Sequence, residues 1–393
     1  MNKPLEKKSF MEFLKAHSLL ILVVLSLTMS SITTVTNSMS SSHNPNKGAY
    51  WPSWAKNFPP SSIDTNLFTH VYYAFLSPSN TTFKFETDDP TALLLKNFTT
   101  TLHTKNPNLK TLFSIGGASE GSLIFSRMAS SHKSRKTFIL STIEVARKFD
   151  FDGVDLDWEF PKTPKDMKNF RHLLHEWRVA VKKEAKANDT PQLLLSAATY
   201  YSPEVNLDNI HRKYPVDSIN ENLDWINAMC YDYRGSWDLS ATGSPALLYD
   251  SNSNVSTSYG LQAWIEAKIQ REKLVMGLPL YGRTWQLKDP TLYGIGAPAV
   301  DVGPGDEGQM PYVEVEKFNA QNSAKVVFDL STVSTYSVAG TSWIGYDDVR
   351  SVALKVAYAR TQKLGGYFFW AVNGDQDWKI STEVYAASRT WSL

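Results

Sequence analysis

The chain has 393 residues, which is enough for one large α/β barrel or for two mid-sized domains. Its formal net charge of +1 gives no positive surplus for binding phosphates, so we expect no nucleic-acid partner. The apolar fraction of 42% can fill a large core, and one cysteine excludes an internal disulfide. Stability must therefore come from packing.

The first thirty residues have the pattern of a targeting segment. An apolar run over residues 19–27 is followed by small residues, and it is too short to span a bilayer comfortably. Four lysines precede it: Lys3, Lys7, Lys8 and Lys15. We predict a signal peptide over residues 1–30, with an uncleaved anchor as the alternative and either Met1 or Met11 as the start. Residues 31–45, rich in Ser, Thr and Asn, predict a disordered leader.

Four Asn-x-Ser/Thr sequons agree with passage through the secretory route, where they are N-glycosylation acceptors: Asn80, Asn97, Asn188 and Asn254. We therefore expect a secreted protein without stable membrane association, with the vacuole left open as its destination. The histidines are scattered and form no metal-ligand pattern with the lone Cys230. No metal site is predicted.

From residue 46 onward, short apolar runs alternate with longer segments of helical period. The runs predict strands at 48–51, 69–75, 110–115, 153–158, 192–198, 225–231, 274–280 and 366–370. Segments 134–148 and 164–186 carry apolar residues on one helical face.

Eight such strands with helices between them predict a (β/α)8 barrel, an α/β fold, over residues 46–393. One interval, after the seventh strand, is too long for a helix and its loops. It carries additional Gly, Pro and β-branched residues. We predict that residues 284–345 form a small α+β insertion between strand seven and helix seven.

The segment from Phe151 to Pro161 holds three acids in alternation: Asp155, Asp157 and Glu159. Because strand side chains alternate between faces, these acids share one face and their apolar neighbours share the other. In a parallel barrel the acids then point into the interior and climb toward the C-terminal mouth, where barrel enzymes have their active sites. Burying like charges together raises at least one pKa, which favours a functional site over a structural one. An exposed acidic strand end and a cation site are the alternatives.

Residues Asp152 to Glu159, read DGVDLDWE, resemble the D-G-x-D-x-D-x-E signature of glycoside hydrolase family 18, the chitinase family. Four further segments resemble motifs of that family, occur in the same order and lie at predicted strand ends: Ser114-Ile115-Gly116-Gly117, Met229-Cys230-Tyr231-Asp232-Tyr233, Tyr281-Gly282-Arg283 and Gly366-Tyr367-Phe368-Phe369-Trp370. Two other segments resemble plant class V chitinases in sequence: Tyr50-Trp51-Pro52-Ser53-Trp54 and Trp343-Ile344-Gly345-Tyr346-Asp347-Asp348.

The resemblance implies a chitinase that cleaves β-1,4-linked N-acetylglucosamine polymers and oligomers with retention. It further implies that the substrate's own acetamide acts as nucleophile, a scheme known for this family. Glu159 would then protonate the glycosidic oxygen, Asp157 would orient the acetamide, Asp155 would share a proton with Asp157, and Tyr231 would hold the acetamido carbonyl. No cofactor is implied, and we expect a monomer whose partner is chitin or a chito-oligosaccharide.

The same resemblance implies that Trp370 is the floor beneath the reacting sugar, although a tryptophan in a buried strand is by default a core residue. The resemblance also implies which residues form the walls of the central subsites: Tyr50, Phe75, Gly117, Met229, Asp232, Tyr281 and Arg283. Phe75 and Met229 have plain barrel packing as the alternative. We expect Cys230 to point out of the barrel, opposite Met229 and Tyr231.

Two other functions remain open. A chitin-oligosaccharide-binding lectin on this scaffold is the first, although lectins of the family have lost the proton donor and this chain keeps it. An endo-β-N-acetylglucosaminidase that cleaves N-glycans is the second, since it uses the same acetamide chemistry and differs in the loops around the cleft.

Overall fold

The computed structural model describes residues 44–389 and residue 391. The predicted signal peptide (1–30) and nearly all of the predicted leader (31–45) lie outside the described residues. The strands are, in chain order, β1 (Asn46–Pro52), β2 (His70–Leu76), β3 (Lys110–Gly116), β4 (Gly153–Asp157), β5 (Leu194–Tyr200), β6 (Glu204–Leu207), β7 (Ile210–Lys213), β8 (Trp225–Met229), β9 (Leu274–Pro279), β10 (Tyr281–Leu287), β11 (Ala299–Val302), β12 (Gln309–Pro311), β13 (Lys325–Asp329), β14 (Ser334–Ala339), β15 (Ser342–Tyr346) and β16 (Gly366–Trp370).

The helices of the described chain are α1 (Asp89–Lys105), α2 (Ser122–Ala129), α3 (His132–Lys148), α4 (Pro164–Asn188), α5 (Val216–Asn222), α6 (Thr257–Glu266), α7 (Tyr312–Gln321), α8 (Val349–Thr361) and α9 (Lys379–Ala387). Short 3₁₀ turns lie at Pro60–Ser62, Arg271–Lys273, Val372–Gly374 and Gln376–Trp378. Helix α4 shows why these elements form where they do. Its N-cap Thr163 and Asp166 make a reciprocal capping box, Pro164 occupies the first turn, and its apolar face is buried.

Eight parallel strands close into a barrel in the order β1-β16-β9-β8-β5-β4-β3-β2. One or more α-helices connect each pair of successive barrel strands except β1 and β2, which a 3₁₀ turn connects, so the predicted (β/α)8 fold is confirmed. Non-proline cis peptide bonds occur at the C-terminal ends of three barrel strands, at Ala74–Phe75, Glu159–Phe160 and Trp370–Ala371.

An antiparallel sheet follows the seventh barrel strand, β9. Its order is β11-β10-β15-β14-β13, β12 pairs with β10, and helix α7 lies between β12 and β13 in the chain. The next barrel helix, α8, begins directly after β15. An antiparallel sheet and one helix, within residues 281–346, thus lie between the seventh barrel strand and helix α8.

Apolar side chains pack on both faces of the barrel strands, in two separate clusters. The larger apolar cluster fills the space between strands and helices, and it includes Val154, Leu156 and Trp158 of the β4 segment. A smaller cluster fills the barrel interior from the opposite face of the strands, with Tyr50 and Tyr72 among its members. Asp155, on the opposite face of β4 from Val154 and Leu156, contacts this interior cluster at Tyr50.

Candidate active site

Asp155 lies at the centre of the barrel, with no exposed surface. Three hydroxyl groups donate to its carboxylate, two from the neighbouring strands β3 and β5 and one from β1 across the barrel: Ser114 Oγ to Oδ2 at 2.7 Å, Ser196 Oγ to Oδ1 at 2.7 Å and Tyr50 Oη to Oδ2 at 2.8 Å. Asn227 Nδ2 donates to the Tyr50 hydroxyl at 2.9 Å. Burial raises the pKa of Asp155, and the hydroxyl donors oppose that rise. The inward orientation predicted from strand alternation is thereby confirmed.

Asp157 lies one step closer to the mouth, and 5% of its surface is exposed. Its Oδ1 accepts no hydrogen bond from the part of the chain that the structure describes. Burial raises the pKa of Asp157 well above its usual range, and the charges of Glu159 and Asp155 raise it further. Asp157 is therefore a buried acid with an unused acceptor, close to two other acids.

Glu159 follows the end of β4 and is partly exposed at the mouth. Burial raises its pKa to about 7, and the nearby charge of Asp232 adds to the shift. A carboxylic acid with a pKa near neutrality retains its proton under mild conditions and can give it away, which is the requirement for a general acid.

Tyr231 follows β8 and extends to the same group of acids. Burial raises the pKa of its phenol well above 10, and Tyr281, Asp157 and Glu159 raise it further, so the hydroxyl stays protonated. Gly277 makes room for the ring, because a Cβ there would lie 2.8 Å from Tyr231 Cε1. Cys230 is buried in the outer cluster, on the opposite side of the strand, as expected. Burial raises the pKa of its thiol to about 12, so it is a packing residue rather than a nucleophile.

Aromatic side chains form the wall beside the acids. Trp370 is partly buried and stacks on Phe75 with ring centroids 5.5 Å apart and planes at 26°. Tyr50 meets Trp370 edge-on at 5.6 Å. Gly117 has φ +87° and would place a Cβ 2.5 Å from the Phe75 ring, so only glycine fits there. These contacts bring three of the predicted wall residues together with Trp370, the predicted floor.

The other predicted wall residues lie at or just after the C-terminal ends of β8 and β9. Arg283 donates from Nε (2.9 Å) and Nη2 (2.7 Å) to Oδ1 of Asp232, which has φ +58°. Its guanidinium lies 5.3 Å from the centroid of the buried Tyr281 ring. Met229 is partly buried and packs against the interior cluster.

Two exposed tryptophans at the mouth were missed by the sequence analysis. Trp54 is 58% exposed and lies 6.4 Å from Trp370 and 6.1 Å from Phe75, centroid to centroid. Trp237 is 59% exposed, with the Arg283 guanidinium 5.1 Å from its centroid. The available signal in the sequence was a tryptophan in each of the loops that follow the barrel strands β1 and β8, because barrel active sites are built from such loops.

The remaining sequence predictions concern the surface and possible ions. All four sequon asparagines, Asn80, Asn97, Asn188 and Asn254, are exposed. Across residues 44–389 and 391, no group of three or more His, Cys, Asp and Glu side chains is arranged to hold a metal ion. Among the helices of those residues, none has the length and apolar character needed to cross a membrane.

Comparison with known proteins places this geometry in a family. The family described as "Glycosyl hydrolases family 18" matches residues 46–375. A Medicago truncatula protein named "Nod factor hydrolase protein 1" is 51% identical over 88% of this chain and 89% of its own length. The "Class V chitinase CHIT5" of Lotus japonicus is 46% identical over 94% of this chain and 93% of its own length.

Solved structures agree with the sequence relatives. A class V chitinase from Nicotiana tobaccum, solved as a glutamate-to-glutamine mutant in complex with NAG4, has a TM-score of 0.84 and 38% identity, and covers 88% of this chain and 99% of its own. A chitinase-like agglutinin from Robinia pseudoacacia has a TM-score of 0.80 and 38% identity, and covers 87% of this chain and 99% of its own. Fold, motifs and relatives thus agree: the chain belongs to glycosyl hydrolases family 18 and is a glycoside hydrolase of the chitinase class.

Proposed function

We propose that the protein hydrolyses β-1,4-linked N-acetylglucosamine oligomers and polymers with retention, using Glu159 as proton donor and the substrate's acetamide as nucleophile. The observation that carries the proposal is the row of three acids on one strand. Only the outermost, Glu159, is both partly exposed and held at a pKa of about 7. One acid suffices for this chemistry, because family 18 uses the substrate's acetamide instead of a second carboxylate as nucleophile.

In the first step, the acetamido carbonyl oxygen attacks the anomeric carbon while the glycosidic bond breaks and Glu159 gives its proton to the leaving oxygen. The product of that step is a cyclic oxazolinium ion. In the second step, water attacks the anomeric carbon, returns a proton to Glu159 and reopens the ring. The two displacements at one carbon leave the product in the β configuration.

Asp157 is suited to the acetamide group because its buried Oδ1 is an unused acceptor for the N–H. Its charge stabilises the positive oxazolinium where water is scarce and electrostatic effects are strong. Asp155 holds the third position of the row, and its three hydroxyl donors fix it in the interior. A proton shared between these two acids then adjusts the charge on Asp157 as the reaction proceeds.

Tyr231 is the proposed donor to the acetamido carbonyl, since its high pKa keeps the hydroxyl protonated beside the acids. Trp370 and Phe75 supply a stacked apolar surface for the reacting sugar. Trp54, beside Trp370 and Phe75, and Trp237, beside Arg283, extend the aromatic surface beyond the reacting unit. Tyr50, Gly117, Met229, Asp232, Tyr281 and Arg283 complete the proposed walls.

The ligands in related structures support this substrate class. The tobacco enzyme was solved with NAG4, and a Cycas revoluta chitinase of the same family was solved with (GlcNAc)4. The relative named for Nod factor hydrolysis favours Nod factors as a second substrate candidate. The agglutinin from Robinia pseudoacacia favours a lectin as the alternative function.

We further propose that the protein is secreted as a monomeric N-glycosylated protein. The lysine-rich apolar segment at residues 1–30 and the exposure of all four sequon asparagines support this proposal. Mass spectrometry of the protein from its native tissue tests it, through the first residue of the mature chain and the mass added at each sequon.

The deciding experiment compares the parent protein with Glu159→Gln on chitin tetramers and hexamers, with the anomer of the products followed by NMR. We expect β-anomeric products from the parent and a loss of about 10²- to 10⁴-fold in kcat for the variant. A Nod factor assayed beside the oligomers ranks the two substrate candidates by kcat/KM. Binding of the oligomers by the parent without turnover would overturn the enzyme and leave a lectin.

A further inference from the structure

The backbone that follows Glu159 is held by hydrogen bonds on both sides of Pro161. The Trp158 indole donates to Ser122 Oγ at 2.7 Å, and that hydroxyl in turn donates to the carbonyl oxygen of Phe160. Further along, the amides of Lys162 and Thr163 both donate to Oδ2 of Asp166 at 3.1 Å. The carbonyl of Pro161, two residues after Glu159, lies between these two anchors.

Arg212 supplies the partner for that carbonyl. It lies on β7, in the hairpin that follows β5, and only 4% of its surface is exposed. Its Nε donates to Pro161 O at 2.7 Å in a buried contact. Its Nη1 donates to the carbonyls of Leu207 at 3.0 Å and Ile210 at 2.7 Å. One guanidinium therefore joins the hairpin to the loop that carries the proton donor.

The way this charge is buried is unusual for the molecule. Of the buried arginines within the described residues, Arg135 pairs with Glu176 at 2.6 Å and Arg178 pairs with Asp224 at 2.8 Å. Arg212 has no carboxylate within 4 Å in the same part of the chain. Burying a cation costs free energy that a carboxylate partner usually offsets. Here the offset comes from three carbonyls alone, which favours a positioning role over a purely stabilising one.

We infer that Arg212 is a positioning residue for Glu159. The inference rests on the proposed role of Glu159 as acid and adds to it the contact that fixes its position. With the guanidinium in place, the loop holds the Glu159 carboxyl against the glycosidic oxygen. Without it, Pro161 loses its donor, the loop shifts, and proton transfer becomes inefficient while sugar binding by the aromatic walls continues. A displacement of about 1 Å from productive geometry can cost about 10²-fold in rate.

The test exploits the leaving group. A sugar leaving group needs its oxygen protonated, whereas a 2,4-dinitrophenolate leaves with little help from an acid. We therefore measure kcat/KM of the parent and of Arg212→Met on the chitin tetramer and on 2,4-dinitrophenyl chitobioside. We expect a loss of about 30-fold on the tetramer, with KM nearly unchanged, and less than about 3-fold on the aryl glycoside.

Arg178→Met is the matched control, because Arg178 is also buried and its Nε also donates to a backbone carbonyl, that of Asn222 at 2.7 Å. Any loss of activity in this control follows the loss of folded protein and is equal for both leaving groups. Arg212→Lys covers the case in which Arg212→Met does not fold. A lysine keeps the charge but lacks the planar guanidinium, whose separate nitrogens donate to Pro161 and to the hairpin carbonyls. We therefore expect about a 5-fold loss on the tetramer alone.

Equal losses on the two substrates in the Arg212 variants, or full activity on the tetramer, would overturn the inference. Glu159→Gln assayed on the same two substrates distinguishes a failure of the proposed proton donor from a failure of the positioning role. If Glu159→Gln also loses both substrates equally, the proposed proton donor is wrong. If it loses the tetramer selectively and the Arg212 variants do not, the positioning role alone is wrong.

Discussion

The two ends of strand β4 carry acids in opposite electrostatic settings. At the N-terminal end, Asp152 accepts hydrogen bonds from Lys110 Nζ at 2.8 Å, from the Thr111 amide at 2.8 Å and from His103 Nε2 at 3.1 Å. Burial alone would raise the pKa of Asp152. The hydrogen bonds to His103, Lys110 and Thr111 outweigh that effect and bring the pKa to about 2.

At the C-terminal end, burial and neighbouring acids act in the same direction. The pKa values of Asp155, Asp157 and Glu159 are all raised, with burial as the largest cause in each. None of the three forms an ion pair with a cation in residues 44–389. One strand thus carries an acid that stabilises the fold through its charge and three acids whose charges oppose folding. An arrangement that costs stability is retained where a reaction needs it.

The largest test of this contrast is Asp157→Asn. We expect kcat on the chitin tetramer to fall by about 10²- to 10³-fold, because an amide cannot stabilise the developing positive charge. The midpoint of urea unfolding at neutral pH should stay the same or rise, since the variant removes a buried acid whose pKa is raised. Steady-state kinetics and urea denaturation of one preparation check both halves. A fall in stability to match the fall in kcat would show that Asp157 is structural.

The second test is the pH dependence of the parent. Glu159 must be protonated to act as acid, and its pKa is about 7. We expect kcat/KM on the tetramer to fall as pH rises through about 7, approaching tenfold per pH unit above it. The aryl chitobioside should show a much weaker decline over the same range, because its leaving group needs little protonation. An equal decline of kcat/KM for both substrates would show that the fall with pH comes from a group other than the acid Glu159.

Strand periodicity explains how much of this site the sequence predicts. Alternation alone places Asp155, Asp157 and Glu159 inside the barrel and Cys230 outside it, because neighbouring side chains on a strand point to opposite faces. Parallel strands then bring their C-terminal ends to one mouth, so residues at the ends of different strands converge. The barrel follows from the same pattern of strands and intervals.

Contacts between residues far apart in the chain could not be predicted in this way. Ser196 and Asp155 are 41 positions apart in the chain, and Arg212 and Pro161 are 51 apart. A serine in a strand and an arginine in a hairpin carry no local signal that marks such partners. The exposure of Trp54 and Trp237 likewise depends on what covers each loop, and a one-dimensional pattern does not contain that information.

The smallest test concerns the other end of the strand. Asp152→Asn should leave kcat unchanged and destabilise the fold at neutral pH by about 1–2 kcal/mol, after allowance for partial exposure of the carboxylate. Urea unfolding of variant and parent measures the difference. Asp150→Asn is the matched control. Asp150 also lies near His103, at 3.7 Å, but its side chain is 74% exposed, so its loss should have little effect.

The pH dependence of the stability lost in Asp152→Asn distinguishes an electrostatic contribution of the Asp152–His103 pair from a simple loss of packing. A lowered carboxyl pKa contributes stability in full above the unfolded value of about 3.9, and the contribution is lost as pH falls through about 2. The pKa of His103 is raised, chiefly by its hydrogen bond to Asp152, so that pair contributes most below the unfolded value of about 6.5. The parent's advantage over Asp152→Asn should therefore peak between about pH 4 and 6.5 and shrink on either side. A difference that is constant with pH would mean that the carboxylate acts through shape alone, and the contrast between the two ends of the strand would lose its electrostatic basis.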